Sequence, residues 1–333
     1  MKHTNIRTLI LSLFFLLFIS LSTFAGGKLR IVSLAPNWTN TVAALGAADE
    51  LVGVTRYCIF PDSIPSMVQQ GRLASIGGFM DINLARVDSL KPDLVLTCTG
   101  MQKHLRDRFL KKGIKVIHME ESSLEEVYAK INELGQAIDK KENAGRLVTE
   151  IRDELKSVQD KYKDKPRVRV YYEINYCYKC VPGKDSYITE LIRMVGGDPI
   201  FSDRPGIAPT VTWEEVVKQN PEVILIPIWA HAGGPYLNSP ECGNGTTTPH
   251  EIAARPGADS VSAVINGRVR YINSAKTKQA GPQIPIAAEL FARTIHADGD
   301  RELLKMDKVP ENMETTFSFL FYRNGFLFAG LNN

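Results

Sequence analysis

Cysteine and histidine are the residue types from which a chain most readily builds a metal centre or a nucleophile, and here they are sparse. Five cysteines occur, at 58, 98, 177, 180 and 242. Five is odd, so at least one thiol stays single. Cys177 and Cys180, in the run NYCYKC, could close on each other, or one of them could pair with Cys242 in SPECGNG. A zinc site wants a second cysteine pair or a spaced histidine pair, and neither pattern is present. His231, Cys242 and His250 lie near one another in sequence without a ligand spacing, which leaves direct binding of a metal ion or oxyanion as an open alternative. Signatures of catalysis are missing: no GxGxxG, no Walker lysine loop, no GxSxG elbow, and HEIAA from His250 lacks the second histidine of a zinc-protease helix. No catalytic residue and no protein-held metal is expected. A remaining alternative of another class is an exported α/β enzyme with its site in the long loop from Ile228 to Pro249.

Binding chemistry is better represented. Segments that follow strand-like runs carry Trp38, Tyr57, Phe79, Tyr176, Tyr178, Trp229 and Tyr236, a large share of the chain's aromatic residues. Amphipathic rings in loops suit a large, partly apolar ligand, because they offer contact area with little entropy to lose. The bland alternative is that half of them plug the interior. Arg56, Arg72, Lys184, Arg204, Lys276 and Lys278 sit in or near the same loops, where they could meet carboxylates or phosphates or simply be solvated.

The elements that must position these residues follow an α/β pattern. Short apolar strands are expected at Leu29–Leu34, Leu51–Thr55, Asp93–Thr97 and Lys115–His118, then again at Val168–Glu173, Glu222–Ile228 and Arg268–Ile272. Continuous apolar runs of this kind suit strands covered on both faces. Helical stretches fall between them, near Thr39 up to Gly46, at Ile82–Leu90 and at Gln102–Lys112. Two segments repeat: INLARVDSLKPDLVL (Ile82–Leu96) aligns without gaps on VTWEEVVKQNPEVIL (Val211–Leu225), and KKGIKVI (Lys111–Ile117) is echoed by INGRVRY (Ile265–Tyr271). Each half thus reads as a version of one design. Between the halves, apolar residues at Ala144, Leu147, Val148, Ile151, Leu155, Val158 and Tyr162 mark one face of a long helix. About 21 residues at 1.5 Å each make a rod of roughly 30 Å. Two lobes held by such a rod should move little against each other. In open α/β sheets, ligands bind beyond the carboxyl ends of the strands, so the cleft is expected between the lobes.

Length and composition agree with this organisation. The 333 residues carry a net charge of +3, with 44% hydrophobic and 23% charged residues. That is too apolar for a disordered chain and too neutral, with no basic cluster, for a nucleic-acid binder. Residues 1–25 begin with Lys2 and Arg7, continue through an apolar run from Leu9 to Leu21, and end in Thr23-Phe24-Ala25. This is the form of a secretory signal cut after Ala25; the apolar run is short of the roughly 20 residues that span a bilayer. No cysteine stands near the cut to carry a lipid, so the mature chain is expected to be a soluble periplasmic protein. The expected divisions are a first lobe at 26–141, a connecting helix at 142–163, a second lobe at 164–300 and an extension at 301–333, whose apolar runs flanking Asn324-Gly325 suggest a hairpin.

Taken in order, RIVSLAPNWTNTVAALG (Arg30–Gly46), LVGVTRYCIFP (Leu51–Pro61), INLARVDSLKPDLVL, the long helix, PTVTWEEVVKQNPEVILI (Pro209–Ile226) and INGRVRYINS (Ile265–Ser274) resemble the class III, helical-backbone substrate-binding proteins of ABC importers. The likeness runs from about Lys28 to about His296. It implies two Rossmann-like β/α lobes joined by one backbone helix. It further implies a periplasmic monomer that binds one metal chelate in the cleft, needs no cofactor, and delivers its cargo to an ABC permease and its ATPase. GVTRYCIFP looks most like the cobalamin-type members, so a corrinoid is favoured, with a ferric siderophore or haem as alternatives. Asn37, Trp38, Tyr57, Cys58, Phe79, Tyr176, Trp229 and His231 are the ligand-binding residues it implies; Tyr57 or His231 could serve a haem iron. The family docks on its permease through one glutamate per lobe. Glu214 matches the second-lobe position, whereas Ala85 occupies the first, with Asp81 or Asp88 as substitutes. Asn40 stands where the family often has glutamate.

Overall fold

The computed structural model describes residues 28–174, 179–231, 234–236 and 247–305. The expected signal segment, Tyr176, Cys177, Tyr178, Cys242 and the expected hairpin tail lie outside them.

In the first lobe five parallel strands, β1 (Ile31–Ser33), β2 (Leu51–Val54), β3 (Ala74–Ser75), β4 (Leu94–Cys98) and β5 (Lys115–Met119), form a sheet in the order β3-β2-β1-β4-β5. In the second, β10 (Val269–Asn273), β8 (Val223–His231), β6 (Val168–Tyr172) and β7 (Gly197–Pro199) lie parallel in that order, and β9 (Gly234–Tyr236) adds antiparallel to the end of β8. Residues of β1, β4 and β6, and of β8 as far as Ile228, are buried throughout or nearly so, as strands covered by helices on both faces must be.

The sequence repeat is visible atom by atom. The Leu84–Ser89 helix is capped by Asn83, whose side chain accepts from Arg86 N, and the Trp213–Gln219 helix by Thr212, with Glu215 closing a capping box. After each helix one non-glycine residue turns left-handed, Lys91 and Asn220, both at φ 46°; before each helix a glycine does so, Gly77 at 102° and Gly206 at 99°. Asp93 and Glu222, just ahead of β4 and β8, accept from the peptide N–H groups of Arg30 and Arg169 at 2.9 and 3.0 Å. Proline after the left-handed residue prevents either helix from continuing.

The connecting helix spans Lys141–Tyr162 and buries Ala144, Val148, Ile151, Leu155 and Tyr162. Those residues join one hydrophobic cluster that takes Ile31, Trp38 and Leu96 from the first lobe and Val170, Leu191 and Phe291 from the second. A helix at Leu124–Ala137, not anticipated from the sequence, packs against the rod on the first-lobe side, with Arg152 over the Tyr128 ring at 4.2 Å and on Glu125 at 2.8 Å. On the second-lobe side the Ile284–Ile295 helix receives it: Lys161, Tyr162 and Arg293 all donate to Glu289, and His296 stacks on Tyr162 at 5.9 Å. The rod is therefore a shared wall of both cores.

Candidate functional site

The carboxyl ends of β1, β4 and β5 face those of β6 and β10 across the join between the lobes. From β1 the chain enters the Pro36–Ala44 helix, proline at its first turn, which sets Asn37 at the join. Asn37 is 2% exposed and donates from Nδ2 to Glu121 Oε1 at 2.9 Å, while its Oδ1 has no partner among the described residues. Glu121 follows β5 in left-handed backbone at φ 67°, a conformation costly for a branched-off side chain and typical of functional sites. Its carbonyl oxygen accepts from Tyr187 N at 3.5 Å, and Leu124 N donates to Glu190 at 3.1 Å, so the 121–124 segment touches the second lobe directly. Burial, reinforced by the neighbouring Glu126 carboxylate, pushes the Glu121 carboxyl up to about 8.

Across the join, the hydroxyls of Tyr172 and Tyr187 and the amide oxygens of Gln279 and Gln283 are buried without a hydrogen-bond partner of normal geometry among the described residues. The loop carrying the two glutamines approaches the first lobe closely: a Cβ at Gly281 would lie 2.8 Å from Thr41 Oγ1 and 3.5 Å from the Asn37 carbonyl oxygen. Lys278, beside Gln279, bonds through Nζ to the Ile174 carbonyl, and burial lowers its amine to about 8. Lys278 was singled out from the sequence as a loop cation, whereas Tyr172, Tyr187, Gln279 and Gln283 were not. The loop after β10 was, and QAGPQ within it is the one signal that could have found Gln279 and Gln283.

A second buried cluster fastens the rim. Glu173, at the end of β6, is fully enclosed and accepts from Arg255 at 2.8 Å, Tyr171 OH at 3.0 Å, Thr247 at 2.8 Å and Lys179 at 3.3 Å. Burial pushes its carboxyl up, but Arg255, Lys179 and Thr247 together outweigh burial and hold it below the ordinary range. Thr247 and Lys179 are thereby tied to one strand end.

The residues singled out from the sequence divide by place. Trp38 does not face the mouth: it is wholly buried, its indole N–H donating to Thr97 O at 2.8 Å, because the helix begins at Pro36 and turns this position inward. Cys58 is likewise interior, a buried thiol against the hydroxyls of Thr39 (3.0 Å) and Thr55 (3.2 Å). Burial raises both it and Cys98. Tyr57 is partly exposed under the Arg56 guanidinium, 5.0 Å from the ring centre, and Arg56 is itself paired with Asp81 at 2.8 Å. Phe79 is partly buried, its carbonyl oxygen taking Gln102 Nε2 at 3.0 Å, and exposed Met80 and Met101 stand on either side of that bond. Trp229 and His231 lie on β8, where the description is of the backbone; Tyr176 is outside the described residues. Glu214 is exposed in the first turn of its helix, and Ala85 is exposed at the matching place. Asp88 is taken by Lys112 at 2.6 Å and Arg108 at 3.4 Å, as Asp81 is by Arg56.

Residues 31–275 match the model of the periplasmic binding protein family. A vitamin B12-binding protein of Vibrio vulnificus is 26% identical over 279 residues, covering 82% of this chain and 92% of that one. Among solved structures, the periplasmic vitamin B12-binding protein of Vibrio cholerae superposes with a TM-score of 0.61 at 23% identity, over 80% of this chain and 96% of that one. The periplasmic haem-binding protein of the same organism does so at 0.61 and 18%, over 81% and 100%. At these identities the structural likenesses establish the two-lobe fold.

Proposed function

The chain belongs to the periplasmic binding protein family, and on that premise we propose that it is an exported receptor, not an enzyme, that binds one corrinoid of the cobalamin class between its lobes. It hands this cargo to an ABC permease driven by its ATPase. The observation that carries the reading is the join itself: segments that follow strands of both parallel sheets meet there, and both lobes contribute buried polar atoms without partners among the described residues. Sites of α/β sheets lie at such ends. The near full-length likeness to a vitamin B12-binding protein points to a corrinoid as the cargo. The metal belongs to the cargo, and the protein needs no cofactor of its own.

The form of residues 1–25 supports export by a signal segment, and the receptor is read as a monomer; among the described residues no helix is long and apolar enough to cross a membrane. Docking leans on the second lobe, where Glu214 is exposed and makes no ion pair among the described residues, whereas Asp81 and Asp88 are already engaged by cations. Calorimetric titration of the mature protein with cyanocobalamin, haemin and a ferric hydroxamate siderophore tests the reading. One tightly bound cyanocobalamin per chain is expected. Haemin or the siderophore binding at micromolar strength or better, with no corrinoid heat, would overturn it.

A further inference from the structure

Folded proteins leave few buried polar atoms unpaired, since each costs on the order of 1–3 kcal/mol. At this join Asn37, Thr99, Tyr172, Tyr187, Gln279 and Gln283 all do so. Asn37, Tyr172, Tyr187, Gln279 and Gln283 are each more than nine-tenths buried. Their convergence is fixed by contacts: Asn37 on Glu121, the Tyr187 peptide on the Glu121 carbonyl, and the Gly281 backbone against Thr41 and Asn37 between the two glutamines. Glu121 is near enough to Cys98 and Tyr187 to push both groups up, after the larger effect of burial, and Tyr172 is a neighbour of Tyr187. Three further such atoms, on Arg268, Arg270 and Tyr271, belong to β10 and the residue just before it, whereas these six lie on segments of both lobes that meet near Glu121, a residue that keeps part of its surface open to solvent.

The chemistry of the set is specific. Three of the unpaired atoms are amide oxygens, which only accept, and three are hydroxyls, which can do either. No lysine or arginine stands near enough to Glu121 to draw its carboxyl down; the charged neighbour it feels is Glu126. Lys103 is spent on Glu120 at 3.0 Å, Arg152 on Glu125 at 2.8 Å, and Lys278 on the Ile174 carbonyl. A ligand group that both donates and accepts and carries no charge satisfies this floor. An anion would be desolvated there beside a carboxyl with no counter-ion, which is costly.

We propose that Glu121, with Asn37, Tyr187 and the two glutamines, forms a selectivity floor that takes neutral primary carboxamides on the edge of a metal chelate and rejects carboxylates at the same place. This inference rests on the corrinoid reading above. A carboxamide would donate its two N–H groups to two of the amide oxygens of Asn37, Gln279 and Gln283 and accept at its oxygen from a tyrosine hydroxyl. Haem, with its propionates, and anionic ferric chelates are disfavoured by the same floor.

The test compares cyanocobalamin with its three ring-edge monocarboxylates, in each of which one carboxamide is hydrolysed, by calorimetric competition at pH 9, where the Glu121 carboxyl, raised to about 8 in the fold, is largely ionised. Wild-type protein is expected to bind at least one monocarboxylate about tenfold or more weakly than cyanocobalamin, roughly 1.4 kcal/mol. In Glu121→Gln, which keeps the side-chain shape and cannot take up the negative charge, the ratio for that monocarboxylate at the same pH should shrink to about threefold or less. Equal wild-type affinities for all four ligands, or an unchanged ratio in Glu121→Gln, would overturn the floor and leave the corrinoid reading standing. Absence of any corrinoid binding would bring down both.

Discussion

At the scale of single residues, Glu121 gives the sharpest expectation. Its carboxyl holds a proton in the fold up to about pH 8, against about 4.5 when exposed. Between those values the folded chain binds more protons than the unfolded one, so stability falls as pH rises through that window. Glu121→Gln removes the effect. The variant should therefore be more stable than the wild type without ligand, by an amount that grows from pH 5 to pH 8 and then levels off, about 1–3 kcal/mol once solvent screening is discounted. Urea unfolding across that range checks it; a gap that stays constant or shrinks with pH contradicts it. Why this residue was invisible in the sequence is physical. Its burial is made by Tyr187, 66 positions away on another lobe, and no local pattern encodes a contact of that range. Trp38 failed in the opposite sense: a tryptophan just past a strand looks like a mouth residue until the helix that starts at Pro36 turns it into the core.

At the scale of elements the two lobes repeat each other's turns, and the repeat sets up a controlled comparison. Gly77 and Gly206 share a left-handed φ near 100°, but a Cβ at Gly77 would lie 2.4 Å from the Asp81 carbonyl oxygen, whereas one at Gly206 meets nothing within 4 Å. Both alanine variants carry backbone strain of about 1–2 kcal/mol. Gly77→Ala adds a clash with backbone, so it should cost at least about 1 kcal/mol more than Gly206→Ala in chemical denaturation. Equal costs would show that the 77–81 turn yields freely. At this scale the sequence was informative: caps, stop signals and the proline after each left-handed residue are local chemistry, and strands covered on both faces announce themselves as unbroken apolar runs. The short β3, β7 and β9 were not anticipated because two or three residues carry no periodicity, whereas the Leu124–Ala137 helix was not anticipated although its Ser123 cap and the apolar spacing of Leu124, Val127, Tyr128, Ile131 and Leu134 encode it locally.

At the scale of the whole molecule the connecting helix belongs to both cores, and cooperativity should follow. Ile151 is 2% exposed within the cluster that spans the lobes. Ile151→Ala should cost about 2–4 kcal/mol and lower a single unfolding transition; a calorimetric trace that splits into two would mean the lobes unfold separately. The docking asymmetry belongs here too. Glu214→Arg should cut uptake by whole cells severalfold or more while leaving purified affinity within about threefold, and an unchanged uptake rate would remove Glu214 from docking. The central claim, that cargo sits at the join between two lobes held by a stiff wall, is tested most directly by hydrogen exchange with and without saturating cyanocobalamin. Protection should rise on both sides of the join, around residues 99–102 and 121–124 on one lobe and 187–190 and 278–283 on the other, and stay unchanged along Lys141–Tyr162. Protection confined to one lobe, or absent from both, would contradict it.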